Sequence, residues 1–395
     1  MESKLLIIAV IILGVIAVTR LMKIYDLSSK LGNKNEAEIS ERHNKLNANL
    51  LLVFCASLFI GFLWLIVHFG WSGRGPAASA HGHGLDVLYN VNFAIVLFVF
   101  FLTHIFLFYF AFKYVRKPGV KAYYFTHSNK LEVIWTAVPA VVLFIIIIFG
   151  LRSWNTITDD AAPEAIRLEL FSKQFDWTAR YSGTDNRLGK FDYKLTTDNN
   201  ELALLTTNTI DSAIQNMDYG INGIHDLEAK LNNPELVVSA KERSDMMTNL
   251  DRKGRLIRLL HQMKGRHDSK NDAYAWDDII QKDTLYLCKG TPYELSFRSK
   301  DVIHSAYFPE FRVQMNTVPG FPTRFKFTPD ITTKEYQEAN KDSDFNFALL
   351  CNKICGGSHY KMKMAVVVLS PVEYKAWMKT KSLATFKDKY FAKAE

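Results

Sequence analysis

Long apolar runs decide most of what this chain can become, and nearly all of them lie before Trp154. They cover Leu5–Val18, Leu50–Phe69, Leu88–Phe112 and Val133–Phe149. A bilayer core needs about 20 residues of helix, so the second and third runs qualify outright. The fourth gains length from Leu151 and its flanks. The first is shorter and follows Lys4, a pattern that signal peptides share. Beyond Trp154 the chain reads as a soluble protein. A mean hydropathy near zero therefore averages two unlike parts. A wholly soluble enzyme is excluded, and so is a transporter built of membrane helices throughout. The abundance of aromatic and branched aliphatic residues excludes extended disorder.

Charge sets the expected orientation. The net charge is +8, but its position matters more than its total. The segment Arg20–Asn49 carries Arg20, Lys23, Lys30, Lys34, Arg42 and Lys45, and Lys113–Leu131 carries five basic residues and no acid. Between them, Gly70–Asp86 has one basic residue, Arg74, in a Gly/Ala/His-rich loop. The positive-inside rule puts both basic loops in the cytoplasm. The N-terminus and everything after Trp154 then lie outside. A cleaved signal peptide would place Arg20–Asn49 outside, against the rule, so the first helix is expected to be retained. The expected layout is a membrane region over 1–153, with helices at about 4–20, 50–69, 88–112 and 133–151, followed by an outer domain over 155–395.

Polar groups in the membrane part invite functional readings. His81 and His83 in the Gly-rich loop are expected to be solvated. His104, inside the third helix, is expected to pack against a partner rather than move protons. Pro139 should bend the fourth helix without breaking it. Glu132, at the cytoplasmic mouth of that helix, suits either an interfacial charge or a proton-uptake group.

After Trp154 the pattern changes to short strands. Ile166–Leu170 alternates Ile166, Leu168 and Leu170, and Phe175–Tyr181 is rich in branched and aromatic residues. Further strands are expected at Leu285–Lys289, Tyr293–Phe297, Thr323–Phe327, Phe345–Leu350 and Met364–Leu369. Pro292, Pro319-Gly320, Pro329 and Gly356-Gly357 punctuate them. Together they fit an all-β sandwich or Greek-key barrel. Ser370-Pro371 opens a short closing helix with Tyr374 and Trp377 on one face. Between 185 and 283 the period turns helical: Met246, Leu250, Ile257, Leu260 and Met263 recur at spacings of three, four and seven. A weaker pattern covers Thr206–Leu231. A helical insertion between sheet strands is expected, its basic face solvated.

The chemistry concentrates near the C-terminus. Cys351, Cys355, His359 and Met362 form a C-x3-C-x3-H-x2-M pattern. Thiolate and thioether select copper, above all when reduced, whereas zinc has little use for methionine. A C-x2-C knuckle is spaced differently and would need a second pair. A Cys351–Cys355 disulfide is sterically possible but leaves His359 and Met362 without a role. A second imidazole is available at His304, at a strand end, although a histidine beside a strand is often structural.

These residues, with the surrounding blocks, resemble subunit II of the haem–copper cytochrome c oxidases. The matching blocks are Leu131–Ala140, Lys173–Trp177, Ser299–Ser305, Phe311–Gly320 and Cys351–Met362. The likeness spans residues 88–182 and 284–379. It leaves out the helical insertion, and the two extra N-terminal helices exceed the family's usual two, an arrangement similar to Bacteroidetes-type forms. The resemblance implies a cupredoxin-like domain with a binuclear copper A centre. Cys351 and Cys355 would bridge two copper ions. His304 and Met362 would complete one, and His359 with the backbone carbonyl of Lys353 the other. Such a chain relays electrons one at a time from reduced cytochrome c to the haem of subunit I, where oxygen is reduced and protons are pumped, and itself breaks no bonds. The implied partners are subunit I, other oxidase subunits, cytochrome c and membrane lipid, with no nucleic acid. The implied location is a bacterial inner membrane with the copper domain periplasmic.

The sequence departs from the family at two places. Lys353 stands where the family usually has a glutamate that helps hold magnesium at the subunit I interface. An ammonium cannot coordinate that ion, so magnesium is doubtful. Phe175 stands where the family's electron-accepting tryptophan is typical. Trp177 matches another family aromatic, and Tyr181 and Tyr307 are further candidates for the electron path. Glu132 aligns with the family's acid at the mouth of a proton channel. The rival readings are a quinol oxidase subunit II, which loses the copper ligands, and a membrane-anchored module with a structural zinc or disulfide site. A soluble copper reductase domain leaves the membrane segments unexplained. A fused haem c is excluded because there is no C-x2-C-H.

Overall fold

The computed structural model describes residues 2–31, 40–70, 75–117, 119–381 and 385–392, with the backbone alone for 2–11, 29, 31 and 381. The expected basic positions Lys34 and Arg74 lie outside the described residues. The chain divides into two compact units, Met1–Gly73 with Phe93–Ala137, and Arg74–Asn92 with Val138–Glu395.

Among the described residues, four long helices precede the strands: α1 (Glu2–Leu31), α2 (Glu41–Leu65), α3 (Ala80–Lys113) and α4 (Asn129–Thr158). Helix α2 starts where the Ser40 hydroxyl accepts the His43 N–H, satisfying one of the amides left open at a helix start. Its apolar surface is aromatic toward α3, with Phe59–Phe101 and Phe62–Phe100 centroids at 4.8 and 5.3 Å. Large apolar side chains such as Ile60, Val96 and Phe98 remain outward. In a helix whose backbone is internally bonded, such a surface suits lipid. Among the described residues, three helical stretches are long and apolar enough to cross a membrane: Glu41–Gly70, Ala80–Lys113 and Asn129–Thr158. The chain is thus multi-pass. The expected first span falls within α1, and the side chains of its residues 4–11 lie outside the described ones. Pro139 sits inside α4, which continues past it.

The second unit is a cupredoxin-like sandwich of two five-stranded sheets. Its strands are β1 (Ile166–Lys173), β2 (Asp176–Tyr181), β3 (Ile279–Lys282), β4 (Thr284–Cys288), β5 (Tyr293–Ser299), β6 (His304–Phe308), β7 (Val313–Thr317), β8 (Thr323–Phe327), β9 (Phe347–Cys351) and β10 (Lys363–Leu369). One sheet runs β3-β2-β1-β5-β8 and the other β4-β10-β9-β6-β7, with β1·β5 and β4·β10 parallel and the other pairs antiparallel. Alternation builds the core: Met364, Val366 and Val368 of β10 point in, as do Leu168 and Leu170 of β1 and Leu295 and Phe297 of β5. Trp177, Phe308, Phe311 and Phe347 fill the space between them.

The other face of the first sheet is also covered, so β1 is buried on both sides from Leu168 onward. Helices α5 (Thr207–Tyr219), α6 (Ile224–Asn232), α7 (Ala240–Arg266) and the short α8 (Ala273–Trp276) form the insertion between β2 and β3. The expected helical insertion is thus a bundle of several helices. Leu260 of α7 packs with Leu195, Ile210 and Ala213, while Met246 and Leu250 are only partly covered. Phe171 of β1 packs with Leu202, Leu204, Ala275, Phe386 and Tyr390.

That covered face carries charge. Strand alternation sends Glu169, Arg180 and Arg298 outward, and the insertion closes over them. Glu169 accepts from both arginines, and Arg180 also donates to Asp278 at 2.7 Å and to the Gly189 carbonyl at 2.9 Å. Arg298 donates to the Leu202 carbonyl at 3.0 Å and stacks 3.6 Å from the Phe191 ring centre. Burial opposes ionisation of Glu169, but the two guanidinium groups outweigh it and hold its pKa at about 2. Burial dominates at Asp278 and lifts it to about 7 despite Arg180.

Helix α9 (Thr333–Asn340) follows β8, and α10 (Pro371–Lys381) and α11 (Phe386–Ala392) close the chain. The expected closing helix is α10, opened by Ser370, which exchanges bonds with Glu373. Of the expected loop over Gly70–Asp86, the part from Ala80 onward is helical. Ser79 bridges to Pro329, its hydroxyl donates to the Phe311 carbonyl at 2.7 Å, and α3 begins at Ala80. His83 meets Asp330 at 2.7 Å, and His81 is half-buried against Phe325. His83 is exposed, as expected, while His81 is drawn in because small residues before it let the backbone lie against the sandwich.

Candidate metal centre

The site is built where two neighbouring strands of the second sheet end. His304 opens β6 and Cys351 closes β9, and pairing of Ala306 with Cys351 puts the two side by side. The backbone N–H of Cys351 donates to the Met362 carbonyl at 3.1 Å, which closes the loop between β9 and β10 into a ring. Asn352 N–H donates to the Ser305 carbonyl at 3.0 Å and pins that ring to β6.

The donor atoms gather around two sulfurs. Cys351 Sγ lies 3.9 Å from Cys355 Sγ, 3.8 Å from His304 Nδ1 and 3.3 Å from the Lys353 carbonyl oxygen. Cys355 Sγ lies 3.6 Å from His359 Nδ1 and 3.9 Å from Met362 Sδ. His304, Cys351 and Cys355 form a potential metal-binding cluster, with ligand atoms within 4.8 Å of one another. Such separations suit ions bound at roughly 2.0–2.3 Å from each donor. The two cysteines are free thiols, their sulfurs far beyond disulfide length. Burial, reinforced by the neighbouring Cys351, pushes the Cys355 thiol up to about 11. Binding an ion there releases protons, because the thiolate is the ligand.

Residues outside the sequence pattern hold this geometry. His304 is fully buried, and its Nε2 meets Asp301 Oδ1 at 2.9 Å, leaving Nδ1 toward the sulfur. Asp301 in turn accepts the N–H groups of Gln174 and Val302, each at 2.7 Å. A carboxylate behind a metal-binding histidine fixes the ring's orientation. The Gln174 side chain donates to the Cys355 carbonyl. Gly356 has φ +140°, and a Cβ there would stand 3.0 Å from the Phe175 ring. Asp301 was visible in the sequence as an i, i+3 partner of His304. Gln174 and Gly356 became legible only once the loop's path was known.

The aromatics expected on an electron path lie at different depths. Phe175 lies against Gly356, and the buried Trp177 ring sits 6.2 Å from that of His304. Tyr307 is half-buried on β6. Tyr181 is fully buried, accepts from the Tyr286 N–H and packs on Trp377, within the core rather than at the surface. The side chain of Lys353 is exposed. Glu132 belongs to the other unit, in the first turn of α4, where His127 meets it at 3.1 Å. His104 bonds the Phe100 carbonyl one turn earlier at 2.8 Å.

Comparison with known proteins agrees with this architecture. Residues 70–153 match the transmembrane domain of cytochrome c oxidase subunit II. An alternative cytochrome c oxidase subunit 2 of Bradyrhizobium diazoefficiens is 25% identical over 304 residues, covering 77% of this chain and 82% of the relative. The chain is cytochrome c oxidase subunit II-like. Cytochrome c oxidase subunit 2 of Thermostichus vulcanus is 32% identical over 110 residues, 26% of this chain and 29% of that one. The solved periplasmic domain of subunit II of the cytochrome oxidase of Bradyrhizobium japonicum aligns over 56% of this chain and 98% of its own, at 15% identity and a TM-score of 0.27.

Proposed function

We propose that this subunit II-like chain is the electron-receiving subunit of a bacterial cytochrome c oxidase, of a Bacteroidetes-like form. It takes electrons one at a time from reduced cytochrome c and hands them to the haem of subunit I. The observation that carries the reading is the gathering of six donor atoms, two adjacent thiols and four groups around them. Cys351 and Cys355 would hold two copper ions jointly, His304 and Met362 completing one, His359 and the Lys353 carbonyl the other. When bound, such a pair supplies a one-electron store that needs little ligand rearrangement.

The chain's own residues do the rest. The two strand ends fix Cys351 and His304, and Asp301 keeps Nδ1 of His304 aimed at the sulfur. Buried Trp177, Met362 and Cys355 exclude water from one side, and Phe175 covers the loop beside Gly356. Phe175 and Trp177 are the proposed path from the donor. Lys353 serves the centre through its carbonyl, and its ammonium takes the cation position where the family holds magnesium. Glu132, paired with His127 at the start of α4, is proposed to take up protons for subunit I. Residues 1–153 serve as the membrane region and 155–395 as the periplasmic copper domain, with the helical bundle inserted at about 185–283. A quinol oxidase subunit would have no use for Cys351, Cys355, His359 and Met362 together. A structural zinc site would leave Met362 idle.

The test is metal content of the purified chain after growth with copper and zinc. Two coppers per chain support the reading, and stoichiometric zinc without copper defeats it.

A further inference from the structure

The surface around the metal loop has a charge and texture that specify its partner. Lys173, Lys282 and Lys300 converge on one carboxylate, Glu201, at 2.5, 3.6 and 3.6 Å, so that acid cannot offset all three. Lys173 lies two residues from Phe175, and Lys300 N–H donates to the Ser172 carbonyl at 2.9 Å, so both flank the Phe175 turn. On the loop itself Lys361 and Lys363 are exposed on either side of Met362, and no acid occurs from Asn352 to Lys363. Of the nearby acids, Asp301 bonds His304 and two backbone amides and Asp176 bonds the Trp177 N–H, while Asp283, beside Lys282, is exposed. Within this lysine rim, Ile354 and Tyr360 are 86% and 77% exposed, and Ile303 is also outward.

We propose that this face docks an electron-donor protein whose contact surface is acidic around an apolar centre. The proposal rests on the electron-relay reading above and adds the chemistry of the donor. A permanent subunit interface is more apolar and larger at its core, whereas a small apolar patch ringed by like charges suits a transient partner. The rim steers an oppositely charged protein and repels a basic one, and the apolar centre brings it into contact beside Phe175. Glu201 keeps three lysines close together without cancelling them.

The test uses the assembled oxidase in membranes with two soluble c-type cytochromes, one of net acidic and one of net basic surface, plus a small neutral reductant. Raising ionic strength from about 20 to about 200 mM should raise KM for the acidic donor by about tenfold and leave kcat unchanged. The basic donor should start with the higher KM and show no such rise. Lys282→Glu with Lys300→Glu should raise the acidic donor's KM by about tenfold at low salt, with the metal spectrum and the rate from the small reductant unaltered. Lys361→Glu, on a different element, should act in the same direction. A lower KM for the basic donor at low salt overturns the proposal, as does indifference of the acidic donor to salt and to both variants. If the small reductant also fails to drive oxygen consumption through the metal-loaded wild-type complex, the relay reading falls and this inference with it.

Discussion

At the scale of single residues, the site depends on groups that do not themselves offer a ligand atom. Asp301 orients His304, so Asp301→Asn should weaken metal binding by about 10- to 100-fold while the fold persists, measured by competition with a chelator. A wild-type affinity in that variant would make Asp301 a bystander. Gly356 is a steric case, because any side chain meets Phe175 and Gln174 at a backbone angle that L residues rarely adopt. Gly356→Ala should destabilise the sandwich by about 1–3 kcal/mol, read from the denaturant midpoint. Cys351→Ser or Cys355→Ser should abolish any signal from an electron shared between two coppers, whereas Met362→Leu should keep the metal and shift its potential. Lys353→Ala should leave that signal intact, because the proposed contact is its carbonyl. The four-residue chemistry of the loop was legible in the sequence because its ligand types and spacing are local. Its supports were not, because Gln174 and Gly356 are distant in the chain and meet only through the path of the fold.

At the scale of elements, strand periodicity was the dependable guide. Seven strands were expected from it with bounds, β6 only as a strand ending at His304, and β3 and β7 were missed. Their cores are short, and β6 begins with His304-Ser305, polar residues that are nevertheless buried. Alternation also misleads where both faces are covered: Glu169 and Arg180 read as solvent-facing, yet the insertion buries them. The electrostatics of that layer make its stability depend on pH in two directions. Glu169 is held at about 2 against an ordinary 4.5, so its contribution is present above pH 4.5 and fades as pH falls toward 2. Asp278 is raised from 3.8 to about 7, so its contribution is present below pH 3.8 and fades as pH rises through 7. Denaturant midpoints of the full chain should therefore peak between about pH 4 and 5 from these two groups. Asp278→Asn should flatten the decline toward neutral pH. Glu169→Gln should cost about 3–5 kcal/mol at pH 5, because it leaves two buried arginines poorly compensated. An unchanged midpoint in Glu169→Gln would show that the layer tolerates an unpaired charge.

At the scale of the whole molecule, the division into apolar helices and a β sandwich follows from where the hydrophobic runs stop. The orientation across the membrane is a separate claim that rests on loop charge. Engineered cysteines at Gly119 should label only from the cytoplasm, and those at the exposed Lys241 only from outside; outside labelling at Gly119 in intact cells would reverse the topology. Glu132→Gln in the assembled complex should slow proton-dependent oxygen reduction without altering the metal spectrum, and wild-type rates across pH 6–9 would leave it an interfacial charge. The central claim remains the pair of coppers between Cys351 and Cys355. Paramagnetic resonance of the copper-loaded full chain, with copper counted on the same sample, tests it most directly. Two coppers per chain with one unpaired electron spread over both nuclei are expected, and a four-line pattern from a single copper at full loading would contradict it.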